Sequence, residues 1–461
     1  MYITLIIICI FIVGLILIAT SNSTNVNKAA IAIFMGTAGW VLYIAYGTDF
    51  VMSQHQQSYL NFLAGVASDS SNVKTYIAEN IFLRYVGRGA EIVLFLIATM
   101  TIVEILNNNG CFDFVNEWVR TRNSRKLLWK LSAITFILSA NLDNFTTATM
   151  MLMIMHGMVP SRRQRMEIGS AIVLAANAGG CLTVIGDPIG LVLWNSGSVT
   201  ASAFSATMAL PVLASWLIPT WLISRSLPDR IDMQWVSPIY RGDDTNLNRW
   251  QRLLMFVVGI GGLWFIPTFH SITRLSPFIG ALCVLSVLWI VNELFNRKLM
   301  NMDIMTSRRM PPALQYGSIQ LSLYVMGMIL ALGVVGETGT FDMLSSWLNQ
   351  HVGNIYIIGV ASGLISTMLN SFATSMTCYS IFDLGHAGAG AFSQNGAFWP
   401  LVAYMTAMGS TLLSTSSMAG IALMKTEKMH IGWYLKFFSG KFLIGWIVGS
   451  AILIGELVIY Q

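Results

Sequence analysis

The sequence predicts an all-α polytopic membrane protein organised as an inverted-topology repeat, with about 10 transmembrane helices plus two re-entrant helical hairpins and two broken helices. Three observations carry this. Of the 461 residues, 55% are hydrophobic and 10% charged, and apolar runs of about twenty residues, the length that spans a bilayer as a helix, recur from end to end. Lys and Arg fall almost wholly on alternate loops. Stretches of the two halves align on one another without gaps.

Apolar segments fall near residues 3–19, 29–46, 84–106, 127–158, 167–195, 205–224, 253–269, 275–294, 317–335, 353–382, 397–424 and 442–459. The first lacks a basic leader and a small-residue cleavage site, so it reads as a retained span and not a signal peptide. The net charge of +5 reflects orientation, and no nucleic-acid partner is expected. Cys9, Cys111, Cys181, Cys283 and Cys378 are isolated, without metal-ligand or disulfide spacing, and no cofactor is expected.

Two segments are anomalous. Residues 127–158 carry Arg120, Arg122, Arg125, Lys126 and Lys130 at one end and Arg162, Arg163 and Arg165 at the other. The positive-inside rule puts both ends in the cytoplasm, which one span cannot do. Two half-length helices meeting at Asn141-Leu142-Asp143-Asn144 can, because irregular backbone is tolerated at membrane depth where protein or water covers it. Residues 353–382 have flanks without Lys or Arg, so that hairpin enters from outside. With both hairpins re-entrant, every Lys and Arg except Lys74, Arg84, Arg88 and Arg274 is cytoplasmic.

"FLIATMTIVEILNNNGCFDFVNEWV" (95–119) lies over "YVMGMILALGVVGETGTFDMLSSWL" (324–348), and "SANLDNFTTA" (139–148) over "STMLNSFATS" (366–375). Equivalent spans run in opposite directions, so the halves form an inverted repeat: 1–250, with hairpin 127–158 and broken helix 167–195, and 251–461, with hairpin 353–382 and broken helix 397–424. Secondary transporters built this way bind at the midplane between repeats.

The chemistry sits at the tips and breaks. "VLAANAGGCLTVIGDPIGLVLW" (173–194) is expected to be interrupted at Gly179-Gly180 and again at Gly186-Asp187-Pro188, because proline removes a backbone donor and glycine loosens a helix. Asp143 and Asp187 are the two carboxylates within reach, with Asn144, Asn177, Thr146, Thr147 and Thr183 supplying neutral oxygens for a transported metal ion. A carboxylate kept from water favours its protonated form and a bound cation favours the ionised one, so proton and cation compete for one group. Intramembrane acids are functional by default, although hydrogen-bonded packing is the bland alternative. In the second half, Asn370 and Ser371 stand where Asp143 and Asn144 stand in the first. With Thr374 they face the hydroxyl-rich break carrying Ser414, Ser416 and Ser417. Glu91 suits either an ion pair with Arg88 or proton entry. Glu104 suits a proton path or a solvated helix end, and His156 reads as an ordinary interfacial histidine.

"AEIVLFLIATMTIVEI", "LLWKLSAITFILSANLDNFTTATMM", "AANAGGCLTVIGDP" and "WYLKFF" resemble the NhaD-type sodium/proton antiporters, members of a superfamily that also holds arsenite, citrate and dicarboxylate carriers. The resemblance runs from about residue 84 onward. It implies inverted repeats, broken helices, a homodimer, an elevator-like movement of the hairpin-bearing part, and important polar residues at Glu91, Asp143, Asn144, Asn177, Asp187 and 414–417. The chain departs from the family at Asn370-Ser371, where a second aspartate-asparagine pair is usual, and at Pro188.

The leading reading is exchange of sodium or lithium ions for protons across a bacterial inner membrane, with the lipid bilayer as surroundings. A sodium-coupled carrier of a dicarboxylate or oxyanion is the alternative, suggested by the neutral second tip. An intramembrane enzyme is disfavoured: no GxGD-like or HExxH pattern and no nucleophile elbow is present.

Overall fold

The computed structural model describes residues 2–24, 26–64, 67–230, 247–296, 312–382 and 390–460. Among these, the only β pairing is an isolated bridge between Asn123 and Arg230, and eight helices are long and apolar enough to cross a membrane. Helix is what the environment demands, because hydrocarbon offers backbone N–H and C=O groups no other partner.

The first half comprises α1 (Tyr2–Ala19), α2 (Lys28–Ala45) and α3 (Ser70–Asn108). A hairpin of α4 (Ser124–Ser139) and α5 (Asn144–Met158) follows. Next come a broken helix of α6 (Arg162–Leu182) and α7 (Pro188–Asn195) and then α8 (Ala201–Ser224). The second half repeats the order: α9 (Arg249–Thr273), α10 (Pro277–Asn296) and α11 (Pro312–Glu337). Its hairpin is α12 (Ile355–Ser366) and α13 (Ser371–Ile381), its broken helix α14 (Phe398–Gly409) and α15 (Met418–Glu427), and its last span α16 (Ile431–Ile459). The eight long helices and two broken ones match the expected ten crossings. Basic residues expected within 231–246 and 297–309, and part of the second hairpin's flank at 383–389, lie outside the described residues.

Packing reproduces the repeat. The second helix of each half runs along the third helix of the other: α2 on α11, and α10 on α3. A β-carbon at Gly327 would lie 2.6 Å from the backbone of Ala32, so small residues set this close approach, as at other membrane helix contacts. Both arms of each hairpin pack on the first limb of their own broken helix, and the second arm also meets the second limb of the other half's. Hairpins and broken helices thus form one unit, flanked by α8 and α16. The helices α1–α3 and α9–α11 form a scaffold beside it.

One expectation is corrected. Gly179 and Gly180 do not interrupt the helix, because α6 continues to Leu182 and the break is confined to residues between it and Pro188. The glycines admit a neighbour instead. A β-carbon at Gly179 would lie 2.2 Å from the Phe136 carbonyl oxygen, and one at Gly180 2.8 Å from that of Gly186. The equivalent contact recurs in the second half, where a β-carbon at Gly409 would lie 2.4 Å from the Gly363 oxygen.

Candidate functional site

Two helix starts face each other where the first hairpin tip meets the first break, and each begins with an aspartate. Asp143 caps α5, its Oδ1 accepting from the Thr146 backbone N–H at 2.9 Å. Asp187 caps α7, its Oδ1 accepting from Ile189 N–H at 3.1 Å. Pro188 follows in the first helical position, where a missing N–H is no loss. Asn144 ties tip to break: its side-chain amide donates to Asp187 Oδ2 at 2.9 Å and its backbone N–H to the Gly186 carbonyl at 3.2 Å. Thr183 donates to the Ala140 carbonyl at 2.6 Å, and Ser139 to that of Ala176 at 2.6 Å. Thr183 is therefore a structural tie across the break.

The remaining polar atoms lack such ties. Asp143 Oδ2, the hydroxyls of Thr146 and Thr147 and the side-chain nitrogen of Asn177 are buried without a hydrogen-bond partner in the protein. Asp143 and Asp187 are only 3% and 5% exposed. Buried polar atoms are nearly always paired, and each exception calls for an explanation. Three of these four are oxygens, one of them on the Asp143 carboxylate, and oxygens of this kind suit a small hard cation or a proton. Among the described residues no cluster of three or more His, Cys, Asp or Glu could hold a resident metal.

The second half copies the frame and drops the charge. Asn370 caps α13 through Oδ1, accepting from Phe372 N–H at 2.8 Å, and Ser417 caps α15, accepting from Gly420 N–H at 2.9 Å. Asn370 and Ser417 thus take the places of Asp143 and Asp187. Ser366 donates to the Thr406 carbonyl at 2.7 Å, as Ser139 does to that of Ala176. Thr374 donates to the Asn370 carbonyl, Ser414 to the sulfur of Met424 and Ser416 to the Thr367 carbonyl. Ser371 opens α13, and its carbonyl accepts from Ser375.

Glu91 is not ion-paired to Arg88. Its Oε2 accepts from Asn195 at 2.6 Å and Ser276 at 3.2 Å, which joins scaffold helix α3 to the end of α7 beside a cavity of about 410 Å³. Glu104, half-buried further along α3, takes no part in the bonds between tip and break. His156 is not an isolated interfacial residue: its Nδ1 lies 2.8 Å from Glu427 Oε1. The fully buried Glu427 carboxylate also accepts from Arg165 Nε at 2.8 Å, and Arg162 donates to the carbonyls of Glu427 and Lys428. This clamp joins the first hairpin, the start of the first broken helix and the end of the second. Sequence reasoning missed it because Glu427 stands among topological lysines with no pattern to mark it.

A family model described as citrate transporter (CitMHS) matches residues 12–409. The chain belongs to that family. The chain is also similar to sodium/proton antiporters, NhaD-type ones among them. Na(+)/H(+) antiporter NhaD of Vibrio parahaemolyticus is 24% identical over 364 residues, covering 73% of this chain and 82% of that protein. Sodium/proton antiporter 2 of Arabidopsis thaliana is 27% identical over 442 residues, covering 95% of this chain and 96% of that protein. Sodium/proton antiporter 1 of the same plant is 31% identical over 371 residues, covering 78% of this chain and 61% of that protein.

Proposed function

We propose that this chain, a transporter and not an enzyme, exchanges sodium or lithium ions for protons, with Asp143 and Asp187 as the carboxylates that hold cation or proton. Asn144, Asn177, Thr146 and Thr147 complete the site, and repeats 1–250 and 251–461 present it alternately to the two sides. The single observation that carries this reading is Asp143 Oδ2, buried without a partner beside two unpartnered hydroxyls. A carboxylate oxygen so placed costs free energy unless a proton or cation joins it, so each can displace the other. Glu91, at the cavity that touches the end of α7, suits proton entry. The surroundings are a bacterial inner membrane, the assembly a homodimer, and no cofactor or nucleic acid takes part.

Purified protein in liposomes loaded with a pH dye is expected to move protons when sodium or lithium is added, without citrate, succinate or arsenite. The alternative, a sodium-coupled carrier of a carboxylate or oxyanion, draws support from the description of the matched family and the neutral second tip. Strict dependence on such an anion in the same assay would decide for it.

A further inference from the structure

Lys28 opens scaffold helix α2, and its surroundings do not favour a cation. Its residue is 8% exposed, a helix N-terminus is the positive end of the dipole, and among the described residues no carboxylate lies within ion-pair distance of it. What it reaches is a carbonyl: Lys28 Nζ donates to Thr415 O at 3.1 Å. Thr415 lies in the break between α14 and α15. The cavity at this place, about 600 Å³, is lined by Asn27, Lys28, Gln320, Lys425, Lys428 and His430 among others, and among the described residues by no acid.

The break explains the lysine. An unwound segment after a helix C-terminus turns carbonyl oxygens and the negative end of a dipole toward one place, which is how broken transporter helices coordinate cations. In the first half two aspartates accompany that arrangement. In the second, Asn370 and Ser417 stand in their positions, and the positive charge arrives on a side chain. We propose that Lys28 is a tethered cation: its ammonium takes, in the second half, the place that the transported ion takes in the first. In doing so it latches the hairpin-bearing unit to α2 on the cytoplasmic side. Only the comparison with the first half rests on the exchange reading; the latch does not. A single free ion site remains, and any movement of the hairpin-bearing unit away from α2 must first break the Lys28 contact.

The test reads the latch without reference to transport. A cysteine replacing Ile421, which lines the same cavity, is labelled in inside-out vesicles with a membrane-impermeant maleimide. The product is counted on that peptide by mass, so that the five native cysteines do not interfere. Lys28→Ala is expected to speed labelling about tenfold or more, the size of one charge-assisted hydrogen bond, and Lys28→Arg to leave it near the parent rate. Ethylammonium added to Lys28→Ala is expected to slow labelling again, whereas tetramethylammonium, which has no N–H to donate, is not. Should Lys28→Ala not fold, Lys28→Gln, which keeps most of the length and loses the charge, is read in the same way. An unchanged rate in the uncharged variant, or rescue by neither or by both cations alike, overturns the proposal. Sodium/proton exchange can fail in liposomes while this result stands, and the reverse.

Discussion

Asp143 does two separable things, and one substitution can remove one while keeping the other. Its Oδ1 caps α5 through Thr146 N–H, while its Oδ2 has no protein partner. Asparagine caps helices about as well as aspartate, and Asn370 already caps α13 through Oδ1 in the second half. Asp143→Asn is therefore expected to change unfolding stability by no more than about 0.5 kcal/mol, whereas Asp143→Ala also loses the cap, at about 1 kcal/mol. Exchange separates the two differently. An amide holds neither a titrating proton nor a cation's charge, so both variants are expected to lose sodium-driven proton movement by about a hundredfold or more, equivalent to roughly 2.7 kcal/mol. Thermal unfolding in detergent gives the first quantity and dye-loaded liposomes the second. Exchange retained in a well-folded Asp143→Asn would refute the assignment of Oδ2 to the ion. Equal destabilisation of both variants would refute the separation of roles.

Other consequences are as direct. Cysteines at Arg125 and Arg163 are expected to label only from the cytoplasm and those at Gln350 and Gln394 only from outside; opposite sides within a pair would remove that hairpin. Gly179→Ala drives a β-carbon to within 2.2 Å of the Phe136 oxygen, and overpacking of this kind costs about 1–3 kcal/mol, which thermal unfolding will register as a lowered midpoint. Asn370→Asp adds a third carboxylate, at the second tip, and like charges that share a site make one carboxyl hold its proton to higher pH. The pH of half-maximal exchange is then expected to rise while activity persists, and a pH titration in liposomes that shows no shift would separate the two tips.

The hairpins and breaks were legible because they break a strong background: Asp143 and Asn144 interrupt an apolar run, and basic residues flank both of its ends. The repeat was legible because stretches of the two halves align without gaps, Ser139 on Ser366 among them, and these two serines make the same bond in each half. Gly179 and Gly180 were misread, since a glycine that loosens a helix and one that admits a neighbour look alike in sequence, and only the Phe136 carbonyl decides between them. Charged residues were the least legible. Lys28 counted simply as one of the cytoplasmic basic residues and Glu427 drew no reading, yet the partner of Lys28 lies 387 positions away and Glu427 is bound by His156 and Arg165, each more than 260 positions distant.

The exchange of partners between α2 with α11 and α10 with α3 has a bearing on biogenesis. A nascent chain that has inserted its first 250 residues holds α2 and α3 in the bilayer with their main protein contacts still unsynthesised, and lipid must cover those faces until α10 and α11 arrive. On these contacts each half leaves its second and third helices uncovered by protein until the other half is made. Two gene fragments split between the halves are thus expected to yield protein only when made together, each fragment serving as the other's folding template.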